Sequence, residues 1–346
     1  MSRIDAPPAL VDRIDEMSLL VGCVDRAVQA GEGAVVVLRG EAGVGKSTLL
    51  TTFLERAAEQ QAGAGLLTGY GQAMLNSLAS DSFQPVRECL RSLTAAVQRS
   101  GSRSALERVV SSFRTNAPDW IESVPVVGQL LAAGVRTGQT FMESGRDGLE
   151  MDSRLDQLVR LIQDLVSESP LLMVLDDLHW ADTATIDLLI TIALRVEGPL
   201  MLVLAYRPDQ ARSAEQTHSL QRAVFRLCRY RPEARIVDLA RLSSSDTEAL
   251  VRQAATDRLI APHVMSRIVR LSTGNPLFAE SLVRVGEHGD GAAPVQITAV
   301  LEERLSYLTE DDQRLLETAA LVGYSFEVDY VARLVKRGTS MTSTSA

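Results

Sequence analysis

Gly40-Glu-Ala-Gly-Val-Gly-Lys-Ser-Thr48 is the most informative stretch of this sequence. It fills every fixed place of the pattern G-x-x-x-x-G-K-[ST], in which a loop between a strand and a helix cradles phosphate groups. Gly40, Gly43 and Gly45 allow a tight turn whose N–H groups point inward at a helix N-terminus. Lys46 adds a compact positive charge that fits between β and γ phosphates, and the chain has only one other lysine. The sequence therefore predicts a polyphosphate site at this loop.

The flanks of the loop favour this interpretation over the alternative, which is an ordinary turn before a helix. Residues 34–39 (AVVVLR) are an apolar run typical of a buried strand, and residues 47–60 have helical periodicity. A strand, a glycine loop and a helix thus follow one another in the order that a phosphate loop requires. Ser47 and Thr48 complete the motif, and the Ser47 hydroxyl is the expected ligand of a Mg²⁺ ion bound with the phosphates.

A second motif lies in residues 171–177 (LLMVLDD), an apolar run that ends in two acidic residues. The carboxyl ends of parallel strands meet at one edge of a sheet, so both carboxylates are expected beside the phosphate loop. Asp176 is the candidate to hold Mg²⁺ together with Ser47, partly through water. Asp177 is the candidate to orient or deprotonate the attacking water. The alternative for Asp177 is that it only caps or solvates the strand end.

Four residues after this motif receive other interpretations. Asp182 precedes a helical run and is expected to cap the helix N-terminus. His179 and Trp180 are expected to be packing or polar-network residues, because no nucleophile or metal ligand pairs with them in the sequence. Arg207 follows an apolar run and is the candidate to sense the γ-phosphate as a permanent cation. The alternative for Arg207 is a solvated surface arginine in an arginine-rich chain.

Alternating strand and helix patterns predict an α/β fold with a parallel, doubly wound sheet and helices on both faces. Residues 72–150 mix Ser, Arg, Gly and Pro with broken helical patterns, and they are predicted to form a helical insertion. The strand candidates are residues 34–39, 65–70, 171–175, 200–205 and 235–239. The helix candidates of the same part of the chain are residues 17–30, 47–60, 149–167 and 183–195.

The pattern becomes nearly all helical after residue 243, which predicts a domain boundary near residue 240. A glycine-rich, polar stretch at residues 286–293 predicts a second boundary. The small, polar residues 338–346 are predicted to be disordered. The helix candidates in this part are residues 245–256, 262–271, 276–285, 297–308 and 310–322.

Length and composition narrow the class of protein. A chain of 346 residues has room for two or three compact units. Its three cysteines have unrelated spacings, which predicts reduced thiols in a cytoplasmic protein. The sequence shows no signal peptide and no apolar run long enough to span a membrane.

The net charge of −9 lacks the positive balance expected of a nucleic-acid-binding surface. The acidic excess lies in residues 1–210, whereas residues 211–346 are balanced. A local basic stretch at residues 222–235 is either a solvated helix face or a contact for DNA or another acidic partner.

Four motifs in this order resemble the STAND class of signal-transducing ATPases within the AAA+ P-loop superfamily. They are the phosphate loop, residues 175–182 (LDDLHWAD), residues 204–208 (LAYRP) and residues 273–280 (TGNPLFAE). Bacterial members include the ATPase modules of MalT-like and large LuxR-type regulators and of adenylate-cyclase-linked proteins. The resemblance covers about residues 9–335. It implies ATP as the nucleotide and Mg²⁺ as the metal.

The resemblance also implies roles for residues outside the phosphate loop. Pro276 matches the proline that lies near the adenine in such proteins, and the alternative is a plain turn between helices. Arg13 and Glu16 match an N-terminal G-R-x-x-E element close to the base and ribose, with Asp12 where glycine is usual. Residues 295–335 resemble the winged-helix module that follows the helical lid. The usual sensor repeats and output domain have no counterpart, so an isolated core or a truncated product is expected.

These features together predict a nucleotide-operated switch, an ATP-binding and Mg²⁺-dependent slow ATPase in transcriptional or other signal regulation. The expected partners are ATP and ADP, with self-association or a regulatory protein partner, and neither DNA nor a membrane. Two alternatives stay open: a DNA-associated AAA+ ATPase of the origin-recognition type, and a scaffold that binds nucleotide without hydrolysing it. The expected organisation is a P-loop domain over residues 1–240, a helical lid over 241–290, a partial winged-helix domain over 291–337 and a tail over 338–346.

Overall fold

The computed structural model describes residues 10–74, 83–116, 147–208, 214–255, 260–288, 305 and 308–322. The chain divides into two compact units, Met1–Pro276 and Leu277–Ala346. The first unit contains a parallel sheet and the candidate site. The described residues of the second unit lie mainly in two helices.

The first unit is built around a five-stranded sheet with the strand order β2-β3-β4-β1-β5. Every pairing in this sheet is parallel. All residues of β3 and β4 are buried, as expected for central strands of a parallel sheet that helices cover on both faces. The strands are β1 (Ala34–Arg39), β2 (Leu67–Gln72), β3 (Leu171–Asp176), β4 (Leu200–Tyr206) and β5 (Arg235–Asp238).

Helices connect and cover these strands. Among the helices that the structure describes, none combines the length and the apolar character needed to cross a membrane. Short 3₁₀ turns lie at Ala62–Ala64 and Leu178–Trp180. The α-helices are α1 (Ile14–Ala30), α2 (Lys46–Gln60), α3 (Gln84–Ser100), α4 (Arg103–Asn116), α5 (Asp147–Glu168), α6 (Thr183–Arg195), α7 (Ala214–Tyr230), α8 (Ser244–Ala254), α9 (Pro262–Ser272), α10 (Pro276–His288) and α11 (Glu310–Val322).

Alternating residues of β1, β3 and β4 contribute to two hydrophobic cores, one on each face of the sheet. From β1, Val35 and Val37 join one core, whereas Val36 and Leu38 join the other. The larger core packs the sheet against residues of α3 to α7, and the smaller core packs it against α1 and α2. The period of two along the strands therefore produces a sheet between two helical layers.

Helix α3 lies close against β2, the strand at one edge of the sheet. The N–H groups of Tyr70 and Gln72 donate to Ser92 Oγ at 2.8 Å and to Glu88 Oε2 at 3.0 Å. A Cβ atom on Gly71 would lie 1.9 Å from the carbonyl oxygen of Pro85. Glycine in β2 therefore permits the close approach of α3, whose side chains satisfy backbone donors of this strand.

The architecture confirms the α/β class and the parallel sheet that the sequence predicts. The observed bounds of β1, α6 and α11 equal the predicted ones. Strand β2 begins two residues later than predicted, because Gly65 has a left-handed conformation with φ 72° and ends the preceding 3₁₀ turn. The sequence predicts no bounds for helix α7, only a solvated helix face or an acidic-partner contact within residues 222–235, because the first residues of the helix, AEQTHSLQ, carry few apolar side chains.

Part of the predicted organisation is described and part is not. Helices α3 and α4 and the start of α5 lie within residues 72–150, the segment predicted to be a helical insertion. The boundaries predicted near residues 240 and 290, and the winged-helix domain, stay predictions. The segments of the predicted organisation that lie outside the described residues are 1–9, 75–82, 117–146, 209–213, 256–259, 289–304, 306–307 and 323–346.

The carboxyl ends of four strands place the candidate site. Strand β1 leads directly into the phosphate loop, and the last residues of β2 and β3, Gln72 and Asp176, pair in register. Strand β4 pairs with both β1 and β3 and is followed by Arg207. Because all these strands are parallel, segments far apart in sequence meet at one edge of the sheet.

Candidate nucleotide-binding site

The phosphate loop (Gly40–Thr48) connects β1 to α2, and two of its glycines have conformations that other residues rarely adopt. Gly43 has φ 74° and Gly45 has φ 99°. Gly40 serves a different purpose, because a Cβ atom there would lie 2.8 Å from Val44 Cγ1 and 3.1 Å from Leu239 Cβ. Two glycines are therefore needed for backbone conformation and the third for close packing.

The loop ends at the N-terminus of α2, where an anion can meet backbone N–H groups. Gly45 occupies the N-cap position and provides no side-chain cap. Lys46 is buried, and its Nζ donates to the carbonyl oxygens of Gly40 at 2.7 Å and Glu41 at 2.8 Å. Thr48 lies half-buried in the first turn of the helix. The ammonium group of Lys46 is thus held by carbonyl groups of the loop itself.

The acidic strand end, Asp176 and Asp177, lies beside this loop. Ser47 Oγ donates to Asp176 Oδ2 at 2.6 Å, and Tyr70 Oη donates to the same oxygen at 3.3 Å. The Asp177 N–H donates to the other oxygen, Oδ1, at 2.7 Å. Burial raises the pKa of the Asp176 carboxyl above its usual value, repulsion from Asp177 adds to this rise, and the Ser47 hydrogen bond opposes it.

Asp177 has the left-handed conformation with φ 52°, which turns the chain sharply after β3. Gln72 Nε2 donates to Asp177 Oδ2 at 2.8 Å, and Arg207 Nε lies 3.5 Å from Oδ1. The side chain of Arg207 is only 18% exposed, which favours a role in the site over a solvated surface arginine. Gln72 was missed at the sequence level, because a single glutamine at the end of a strand carries no motif.

His179 lies against the acidic strand end and is almost fully buried. Its Nδ1 is 3.8 Å from Asp177 Oδ1, and its ring lies 4.7 Å from the Trp180 ring. Among the described residues, neither ring nitrogen has a hydrogen-bond partner. Burial lowers the pKa of His179 to about 3, and Asp177 partly opposes this shift. His179 is therefore a buried, neutral imidazole that packs against Trp180 and the acidic strand end, in agreement with the predicted packing role.

Arg13, the N-cap residue of α1, contacts the phosphate loop. Its Nη2 donates to Ala240 O at 2.6 Å and to Val44 O at 3.3 Å, while Nη1 pairs with Glu16 Oε1 at 3.4 Å. Asp12 adopts φ 47°, the left-handed region that explains why glycine is usual at this position. Arg13 and Glu16 of the matched element pair with each other, and the other hydrogen bonds of Arg13 go to carbonyl groups.

Two other predicted positions are also described. Asp182 caps α6 as predicted, because its Oδ1 accepts from Thr185 N at 2.7 Å. Pro276 is the first residue of α10, and the residue before it, Asn275, donates from Nδ2 to Ala42 O in the phosphate loop at 2.9 Å. Sequence analysis missed this contact, because Asn275 and Ala42 are 233 residues apart in the chain.

The residues at this edge fit a nucleotide with its metal. A hydroxyl and a carboxylate that share one hydrogen bond can both turn their oxygens toward a cation, and Mg²⁺ typically takes one or two carboxylates with water and phosphate. Among the described residues, no group of three or more His, Cys, Asp or Glu side chains forms a metal cluster. One hydroxyl and one carboxylate are a donor set that suits Mg²⁺ bound together with a phosphate.

The fold and the site together define a P-loop nucleotide-binding protein. The family model of the AAA ATPase domain matches residues 9–204, more than half of the chain. The chain therefore belongs to the AAA ATPase domain family, and this membership implies ATP binding and hydrolysis with Mg²⁺.

The individual proteins that resemble this chain share only a small part of its sequence. An uncharacterized protein of Rhizobium meliloti is 24% identical over 316 residues, which cover 86% of this chain and 28% of that protein. The chain thus spans little more than a quarter of this relative's length. Among solved structures, the Aeropyrum pernix ORC1 protein in complex with DNA has a TM-score of 0.47 at 16% identity, covering 97% of this chain and 79% of that chain. A RuvB variant from Thermotoga maritima has a TM-score of 0.42 at 15% identity, covering 94% and 82%.

Proposed function

We propose that this protein is a nucleotide-operated switch of the STAND class, in which slow ATP hydrolysis or exchange regulates transcription or another cytoplasmic signal. The STAND class rests on the motif resemblance, and the observation that carries the nucleotide site is the 2.6 Å hydrogen bond between Ser47 Oγ and Asp176 Oδ2. It joins the hydroxyl of the phosphate loop to the acid at the end of β3. A nucleotide bound with Mg²⁺ requires these two oxygens in reach of one cation.

The phosphate-binding roles follow from the positions of the loop residues. Gly43 and Gly45 allow the turn that faces backbone N–H groups toward phosphate oxygens. Lys46 would neutralise the β and γ phosphates, since its ammonium has three donors and is already held on the loop. Ser47 and Asp176 would hold Mg²⁺. When bound, Mg²⁺ supplies further charge neutralisation at the phosphates.

Asp177 and Arg207 are the proposed catalytic residues. The contact from Gln72 holds the Asp177 carboxylate in one orientation, from which it can orient a water or accept its proton. Arg207 is a permanent cation next to this carboxylate and would sense the γ-phosphate. Arg13 and Pro276 are the proposed contacts near the ribose and the base. These two assignments rest on the motif resemblance.

The switch itself is proposed to lie in the segments that follow the sheet. We assign residues 241–290 to a helical lid and residues 291–337 to a partial winged-helix domain, which respond differently to ATP and ADP. The output is a change of contact with a second copy of the chain or a regulatory protein. The three free cysteines are compatible with action in the cytoplasm.

Titration calorimetry with Mg-ATP tests the assignment of the site. We expect the wild type to bind with a submillimolar Kd and Lys46→Ala to bind at least about tenfold more weakly, because one phosphate-neutralising charge is lost. Lys336→Ala is the matched control, because it removes the only other lysine of the sequence. Equal affinities of the wild type and Lys46→Ala would overturn the assignment.

Phosphate release under saturating Mg-ATP separates the switch from a scaffold. Slow release by the wild type, with a different state of assembly in ATP and in ADP, supports the proposal. Tight nucleotide binding with no phosphate release, either alone or with a partner, would instead support the non-hydrolysing scaffold. Mass measurement in solution with each nucleotide reports assembly in the same samples.

A further inference from the structure

The phosphate loop is hydrogen-bonded to a turn that comes at the C-terminal end of the first compact unit. Asn275 is 1% exposed, and its Nδ2 donates to Ala42 O at 2.9 Å. Ala42 lies in the phosphate loop, directly before Gly43. A buried hydrogen bond of this kind is costly to lose, because the carbonyl oxygen would remain without a partner.

A second contact joins the same two segments. Arg241 Nε and Nη2 donate to Glu41 Oε2 at 3.0 Å and 2.6 Å, and Arg241 Nη1 donates to Thr273 Oγ1 at 2.8 Å. Glu41 directly precedes Ala42, and Thr273 lies two residues before Asn275. Arg241 thus links Glu41 of the loop to Thr273 of the turn, close to the contact between Ala42 and Asn275.

The turn allows Asn275 little freedom. Gly274 has φ 78°, and a Cβ atom there would lie 2.3 Å from Leu242 O. Its carbonyl oxygen accepts from Leu242 N at 2.8 Å, and Asn275 N donates to Ser272 O at 2.9 Å. These two backbone hydrogen bonds therefore hold the backbone of Asn275, and with it the position of its Cβ atom.

The hydrogen bond to Ala42 O also determines the direction of a neighbouring donor. The carbonyl of Ala42 and the N–H of Gly43 belong to one planar, trans peptide group, in which C=O and N–H point in opposite directions. Asn275 therefore orients the N–H of Gly43 by holding the carbonyl of Ala42. A change in the direction of this peptide group on nucleotide binding would strain or release the contact to Asn275.

We propose that Asn275 is a positioning residue that couples the conformation of the phosphate loop to helix α10. Helix α10 begins at Pro276, directly after Asn275, and the boundary between the two compact units follows Pro276. The coupling rests on the proposed function, since nucleotide binding is what would change the loop. It assigns to Asn275 a task that is separate from any contact of Pro276 with the base.

Hydrogen exchange with mass spectrometry tests this coupling on the full chain at saturating Mg-ATP. In the wild type, we expect nucleotide to change exchange both in residues 40–45 and in residues 276–288. In Asn275→Ala, the response of residues 40–45 should remain and that of residues 276–288 should be lost. The affinity of this variant should be about fivefold lower or more, the usual lower range of a coupling between sites.

Ser272→Ala is the matched control for a loss that is merely structural. Ser272 is fully buried in the same turn, but its Oγ donates to Val269 O within helix α9 and not to the phosphate loop. This variant should keep the response of residues 276–288. The inference is overturned if Ser272→Ala and Asn275→Ala lose the response equally, or if Asn275→Ala keeps it.

A surface variant tests the same coupling if Asn275→Ala does not fold. Arg241→Gln removes the ion pair to Glu41 at a site where both side chains are more than two-fifths exposed. It should reduce the response of residues 276–288, and an undiminished response would count against the coupling. Failure of the wild type to bind any nucleotide overturns the proposed function together with this inference, whereas binding without a response in residues 276–288 overturns the inference alone.

Discussion

The phosphate loop and the acidic strand end lie at the same edge of the sheet, but they are held in place differently. The loop depends on glycine conformation and on hydrogen bonds to its own carbonyl groups, including those from Lys46. The acidic strand end depends on side chains from other segments, among them Ser47, Gln72 and Arg207. One half of the site is formed mainly by backbone and the other mainly by side chains.

This difference has a consequence for substitutions. A change of residue in the loop acts on backbone geometry, so it should affect folding and phosphate binding together. A conservative change at the acidic strand end keeps the backbone and removes one charge or one hydrogen bond, so it should affect chemistry with little effect on folding. Three predictions test whether the two halves can be separated in this way, and a fourth tests a position outside both of them.

The largest expected effect belongs to Asp177→Asn. Loss of the carboxylate should lower the rate of ATP hydrolysis about 100-fold or more, the usual contribution of a general base, while the Kd for Mg-ATP stays within about threefold. Phosphate release and calorimetry on the same preparation measure the two quantities. Asp182→Asn is the control, because asparagine is also a good helix cap and α6 should be unaffected. An equal fall in rate for both variants would remove the distinction between the two halves.

Gly40→Ala should show the combined effect expected of the loop. The added methyl group would meet Val44 and Leu239, so we expect a loss of about 2 kcal/mol in the free energy of unfolding and weaker Mg-ATP binding. Urea unfolding and calorimetry measure these changes. Gly63→Ala, at a position where a Cβ atom meets no atom within 4 Å, should be nearly neutral. Normal stability of Gly40→Ala would show that the loop is less tightly packed than its geometry indicates.

A third prediction uses the neutral His179 to test the acidic half alone. Because burial lowers its pKa to about 3 from 6.5, the unfolded chain binds more protons below pH 6.5. The contribution of His179 to stability is therefore complete above pH 6.5 and declines as the pH falls toward 3. Between about pH 6.5 and pH 5.5, the wild type should lose about 1 kcal/mol more than His179→Gln in urea unfolding.

The exposed His263 provides the control for this measurement. His263→Gln should follow the wild type across the same pH range. A wild type and a His179→Gln variant with parallel pH profiles would mean that His179 is solvated or ionised in the folded protein, against its observed burial.

The smallest effect concerns a cysteine outside both halves of the site. Burial raises the pKa of the Cys89 thiol to about 12, so almost no thiolate is present at neutral pH. A maleimide should therefore label the half-buried Cys228 well before Cys89, with or without Mg-ATP, as peptide mapping would show. Rapid labelling of Cys89 would indicate that α3 opens away from β2.

The extent to which the sequence predicted the structure follows the same division. A contiguous motif encoded the phosphate loop, and periodicity encoded the strands around it, because both signals are local. The acidic strand end was also predicted, since two aspartates close an apolar run. The contacts of Gln72 and Asn275 were not, because they join segments that only the strand order brings together. A lone amide side chain gives no sequence signal of its partner.

Both borders of the sheet are protected from pairing with another molecule. At β2, the Ser92 and Glu88 side chains of α3 already occupy the amide groups of Tyr70 and Gln72 that an incoming strand would need. At the opposite border, β5 has only four residues and begins with an exposed arginine, and short, charged outer strands discourage intermolecular β-pairing. The same features limit the addition of a further strand, side by side, to a sheet whose central strands are almost entirely apolar.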